Sequence, residues 1–156
     1  MLLVSGGQTG VDRAALDIAV RLGIPYAGWC PKGGLAEDYS EPPGLRALYP
    51  KLLETPSTRF AERTRWNVRD SEATLVLTVG DALERSSGTN VALAYARKLG
   101  RPTLVVDVES DAAAATIRAF LDRFRSVNVA GPRESGAPGI YRAAMRVLDV
   151  AVGGGA

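Results

Sequence analysis

The sequence predicts an α/β fold: a Rossmann-like, doubly wound, mainly parallel sheet of five strands with helices on both faces. Three observations carry this prediction. Short β-type runs alternate with helical periodicities along the chain. The clearest runs, residues 73–79 and 102–108, are apolar at successive positions, as strands covered on both faces must be. Glycine-bearing turns recur where those strands end, and right-handed crossovers bring such turns to one edge of an open sheet, where ligands bind.

Taken in order, residues 1–5 form a short buried strand that opens into Gly6-Gly7-Gln8-Thr9-Gly10. From Val11 the apolar residues Ala14, Ala15, Ile18, Ala19 and Leu22 follow helical offsets, and Gly23 stops the helix. Residues 24–29 are a second strand. Residues 30–56 break the rhythm with five prolines and three glycines, a long and mostly irregular excursion. Loops of that length are usually functional or disordered. Ser57 or Thr58 caps a helix running to Arg69. Its arginines, Arg59, Arg63, Arg65 and Arg69, predict a solvated or subunit-facing surface. The buried strand 73–79 leads through a loop, 80–88, to a helix over 89–99 closed by Gly100. A second buried strand covers 102–108. Asp111 caps a helix over 112–124. A strand at 126–130 and a helix over 139–150 complete a single domain, 1–152, with a flexible tail at 153–156.

Composition excludes several classes of function. With 156 residues, 46% hydrophobic and 23% charged, the chain has the length and balance of one globular domain. Nineteen basic against 17 acidic residues leave a formal charge of +2, too little to predict nucleic-acid binding. There is no histidine, hence no histidine base or metal ligand. The single cysteine, Cys30, excludes internal disulfides and multi-cysteine metal sites. No apolar run has the length of a membrane helix, and the apolar start is too short for a secretory signal, so a cytoplasmic location is expected.

The chemistry lies in the loops. Gly6, Gly7, Gln8, Thr9 and Gly10 join a strand to a helix start, where unpaired amides and the positive end of the helix dipole favour an anion such as phosphate. A tight turn without a ligand is the plainer reading. No lysine follows Gly10, so this is not a Walker loop. No acid ends the second strand, which disfavours NAD. Asp12 either stabilises the helix dipole or contacts the ligand. Arg13 opposes that dipole and so calls for an anionic partner. Ser87, Gly88 and Thr89 repeat the glycine–hydroxyl–helix-start pattern, as a second cradle or as a helix cap. Lys32, after the second strand, is a mobile charge for an anion or a solvated loop lysine. Arg133 is a bidentate clamp or a surface arginine. Glu37, Asp38 and Glu41 read as solvated loop carboxylates. No metal site is predicted, and no catalytic residue is assigned.

Several of these segments resemble the molybdenum cofactor carrier family: 5–13 (Ser5 to Arg13), 28–33, 54–56, 63–64, 67–71 and 128–135. That family is related to the Rossmann-like group that includes the lysine-decarboxylase-like phosphoribohydrolases. The resemblance covers nearly the whole chain. It implies a Rossmann-like fold, homo-oligomers (dimer or tetramer), and a crevice for molybdenum cofactor (molybdopterin) or a nucleotide-like ligand. The phosphoribohydrolases carry a catalytic glutamate after their glycine–threonine pair; the matching position here is Ala92.

The function expected is therefore a carrier or binding protein for a phosphorylated pterin or nucleotide, held at the carboxyl edge of the sheet. The alternatives are a nucleoside-monophosphate hydrolase using Asp12, Asp38 or Asp107, and a nucleotide-sensing regulatory protein. The expected partner is a phosphorylated small molecule, with neither nucleic acid nor membrane.

Overall fold

The structure, a computed structural model, describes residues 1–154. Its strands are β1 (Leu2–Val4), β2 (Tyr26–Ala27), β3 (Trp29–Cys30), β4 (Leu53–Glu54), β5 (Ala73–Thr78), β6 (Thr103–Asp107) and β7 (Ser126–Ala130). Its α-helices are α1 (Val11–Leu22), α2 (Leu45–Leu48), α3 (Phe60–Arg69), α4 (Ser87–Lys98), α5 (Ala113–Leu121) and α6 (Ile140–Leu148). Five strands make one parallel sheet in the order β2-β1-β7-β5-β6. β7 lies between β1 and β5, with Leu3 opposite Val127 and Leu75 opposite Val129. Counted from β7, the order becomes 3-2-1-4-5, that of a doubly wound sheet.

The two faces of the sheet differ in chemistry. Leu3, Leu75, Leu77, Val127 and Val129 pack on Ala14 and Ile18 of α1, Ile117 of α5 and Leu148 of α6. The alternate positions of β5 face α3 and α4 across a smaller apolar cluster of Val68, Ala92 and Ala96. That face includes buried polar groups, and Asn128 Nδ2 donates to Thr74 Oγ1 at 3.4 Å.

Several elements depart from the sequence reading. The second strand breaks at Gly28, whose φ is 153° and where a Cβ would collide with the Ser5 carbonyl. The chain crosses β1 so closely there that Trp29–Cys30 leaves the main sheet and pairs in parallel with Leu53–Glu54. β6 is an edge strand rather than a buried one, with Val105 42% exposed. α3 starts at Phe60, and Ser57 Oγ accepts from the Arg59 amide instead of capping the helix. α4 starts two residues early, after a 3-10 turn at Ala82–Arg85, so Ser87 and Gly88 lie in its first turn. α5 carries no side-chain cap from Asp111. α6 continues into a π-helical turn, Asp149–Gly153, which takes in the start of the expected tail; residues 155–156 lie outside the described ones.

The excursion between β3 and β4 is a packed element. Cys30, Ala36, Leu45, Tyr49 and Leu52 form a second core against Leu16 of α1. Three carboxylates fasten it. Asp17 of α1 accepts hydrogen bonds from the Tyr49 and Tyr141 hydroxyls, joining the excursion to α6. Asp38 receives two hydrogen bonds from Arg13, at 2.9 and 2.8 Å. Glu37 accepts from Thr9 Oγ1 and from the Ser135 hydroxyl. These contacts correct the reading of Glu37 and Asp38 as idle solvated charges.

Two outcomes follow from this fastening. Asp17→Ala leaves the Tyr49 hydroxyl without its acceptor while Tyr49 is only 4% exposed. The variant is expected to lose about 1–3 kcal/mol in urea denaturation. The second outcome concerns acid. The Arg13 hydrogen bonds hold the Asp38 carboxyl below the usual range. For Glu37, partial burial pushes upward, but hydrogen bonds from Ser135 and Thr9, with Arg133 nearby, win and lower it. A depressed native pKa gives stability that is complete above the unfolded value and lost as pH falls through the native one. Amide protection over residues 31–52, taken relative to the intrinsic exchange rate at each pH, should therefore fall below about pH 4, before that of the main sheet.

Candidate functional site

β7 and β5 are neighbours whose connections leave for opposite faces, α6 to one and α4 to the other. That divergence is a topological switch point, where an open sheet leaves a crevice outside its carboxyl edge. A cavity of about 240 Å³ lies there. Gly131, Pro132 and Arg133 after β7 line it, with Ser86 to Thr89 at the start of α4 and Phe60, Ala61, Arg63 and Thr64 of α3. From the β1–α1 turn only Gln8 and Asp12 reach it.

The start of α4 is the open cradle. The Asn90 amide makes the first intrahelical bond, to the Ser86 carbonyl at 3.0 Å. The amides of Ser87, Gly88 and Thr89 precede it, so they lack helical partners and carry the positive end of the helix dipole. Ser86 Oγ and Thr89 Oγ1 share a hydrogen bond of 2.6 Å that orders the turn. A Cβ added at Gly88 would meet nothing within 4 Å.

Opposite stands Arg63. The inner face of α3 comprises Arg63, Asn67 and Val68, while Arg65 and Arg69 point outward. The expectation of a solvated or subunit-facing arginine is corrected: Arg63 is 7% exposed. Its guanidinium lies against Gly6, where any Cβ would collide with Nη1. Nη1 donates to Asp12 Oδ2 at 3.0 Å, and the buried Nε has no hydrogen-bond partner. Burial pushes the Asp12 carboxyl above the usual range, against the pull of Arg63.

The first helix start is occupied by the chain itself. The Val11 amide donates to the Pro132 carbonyl at 3.3 Å, and Thr9 Oγ1 accepts from the Glu134 amide at 3.1 Å. Ser5 Oγ donates to the Val129 carbonyl at 3.1 Å. Gly7 supplies its carbonyl to Arg13 Nε at 3.0 Å, and Gly10 closes against the 132–134 backbone. Gln8 Oε1 accepts from the amides of Thr9 and Glu37. Arg133 stands 3.9 Å from Glu37. The structure thus brings Gln8, Asp12, Ser87, Gly88, Thr89 and Arg133 to one cavity. Gly6, Gly7, Thr9 and Gly10 lie behind its lining as framework. Arg13 is spent on Asp38, and Lys32 is exposed outside the lining. Phe60, Arg63 and Arg85 are among the lining residues that sequence reasoning did not assign to the site. The available signal for Arg63 was its i, i+4 partnership with Asn67 on one helix face, set against a glycine turn able to admit a long side chain. Among the described residues, no cluster of three or more potential ligands could hold a metal ion, and no helix is long and apolar enough to cross a membrane.

A crystal structure described as a "Putative molybdenum carrier protein" from Syntrophus aciditrophicus SB is similar along nearly the full length. It is 35% identical, with a TM-score of 0.83, covering 97% of this chain and 94% of that one. No curated protein matches the chain. The model of the circularly permutated YpsA SLOG family matches residues 3–152. The sheet carries the mark of that permutation, since its strands take the doubly wound order only when counted from β7. The chain belongs to the circularly permutated YpsA SLOG family.

Proposed function

We propose that the chain is a binding or carrier protein for a phosphorylated ligand, molybdenum cofactor or a nucleotide-like molecule, held without covalent chemistry. One observation carries the reading: the residues that bear the free amides of α4 and the Arg63 side chain line a single cavity. The phosphate rests on Ser87, Gly88 and Thr89, where helix-start amides favour negative oxygen. Arg63, Gln8 and Arg133 supply further donors. Molybdenum cofactor suits this donor set as cargo, because it offers a phosphate and anionic oxygens around its metal. Among the described residues no ligand cluster would coordinate the metal itself, so the cargo is held through its oxygens. The carrier description of the relative supports the same reading.

A hydrolase is the second reading. Of the three carboxylates considered for it, Asp12 lines the cavity, whereas Asp38 and Asp107 do not. Ala92, at the position of the phosphoribohydrolase glutamate, is buried between α3 and α4. Release of base from a nucleoside monophosphate, abolished by Asp12→Asn, would establish that reading over the carrier.

Calorimetric titration with molybdenum cofactor and with nucleoside monophosphates should give saturable binding. Gly88→Asp places a carboxylate on the amide cradle in open space, so it should weaken binding at least about tenfold without lowering Tm. Undiminished binding in that variant would place the phosphate elsewhere. Arg63→Met strands Asp12 in a buried site, at an expected cost of about 3–5 kcal/mol at neutral pH. With Arg63 gone, burial is opposed only by the weaker pull of the Gln8 backbone and Arg13, and the Asp12 pKa stays above its unfolded value. Stability is then retained below the unfolded pKa and lost as pH rises through the folded one, so the deficit of the variant shrinks in acid. Urea denaturation at pH 4 and pH 7 checks this.

A further inference from the structure

We infer that Phe60 is the stacking platform for a planar heteroaromatic ring, which makes the ligand a ring-bearing phosphate rather than a sugar phosphate or a simple anion. The inference rests on the reading that the start of α4 binds a phosphate. Phe60 opens α3 and lines the cavity, yet it is 38% exposed, a large aromatic left open at a polar site. Its ring is held from one side, since the Arg63 guanidinium carbon stands 5.6 Å from its centroid. That guanidinium is itself fixed by Asp12, so the platform is built before any ligand arrives. Ala61 and Val91 add apolar lining to the same cavity, whose donors are Ser87 to Thr89, Arg63 and Arg133. A cavity with an aromatic wall and a phosphate cradle suits a bicycle such as guanine or pterin joined to a phosphate. Stacking of this kind accepts any flat π-face and does not depend on base-edge hydrogen bonds.

The test is calorimetric titration of the intact protein with guanosine 5′-monophosphate, ribose 5-phosphate and inorganic phosphate. The wild type should bind the nucleotide more tightly than the sugar phosphate. Phe60→Ala should weaken nucleotide binding about tenfold and leave ribose 5-phosphate within about twofold. Phe60→Trp should restore nucleotide affinity. Phe60 is exposed, so circular dichroism and Tm of both variants should match the wild type. If Phe60→Ala weakens both ligands equally, or neither, the platform is overturned while the phosphate cradle stands. If none of the three probes binds the wild type, the phosphate reading falls and this inference falls with it.

Discussion

The site is organised around a buried ion pair. Taking a guanidinium and a carboxylate out of water costs several kcal/mol each, and their mutual attraction often does no more than break even. Arg63 and Asp12 are both buried, and their 3.0 Å contact spans the gap between α3 and the first turn of α1. One guanidinium nitrogen remains without any partner. A fold selected for stability alone would place an apolar side chain there. Gly6 makes the room that the guanidinium fills, since a Cβ there would collide with Arg63 Nη1. The pair therefore belongs to the cavity more than to the core. Asp12 holds the arginine in place, and the arginine keeps donor capacity in reserve.

The remaining carboxylates play a different part. Asp17, Glu37 and Asp38 act at partly exposed positions and tie a proline-rich excursion to α1, α6 and the turn after β7. Glu37 is the junction. Its backbone amide donates to Gln8, and its side chain takes Thr9 and Ser135, so three loops from three parts of the chain meet on one residue. That junction supports Gln8 and the turn bearing Arg133 at the edge of the cavity. The β1–α1 turn becomes a scaffold, because its own helix start is filled by the backbone of the loop after β7.

The sequence announced the layered architecture well, since apolar runs and helical offsets are local signals. The Ser87-Gly88-Thr89 turn was legible for the same reason: its chemistry sits in consecutive residues at a helix start. What stayed hidden depends on tertiary geometry. Arg63 is one of three arginines on α3, and its i, i+4 pairing with Asn67 marks a face of the helix without showing that the face turns inward. Arg13 and Lys32 carry the right charge in the right loops, but Asp38 engages the first, and the second lies outside the cavity wall. The break at Gly28 arises from contact with Ser5, which is remote in sequence. The insertion of β7 between β1 and β5 also leaves no trace in either strand's composition.

That insertion has a consequence for assembly. The central strand is also the one translated last, after both of its neighbours. Until β7 emerges, β1 with β2 and β5 with β6 are two half-sheets, each exposing an unpaired apolar edge to other chains. The closing step joins segments far apart in sequence, which makes it entropically slow. Docking β7 zips the halves together and, in the same event, brings Gly131 and Arg133 opposite the start of α4. A nascent chain therefore lacks the cavity until the sheet is complete.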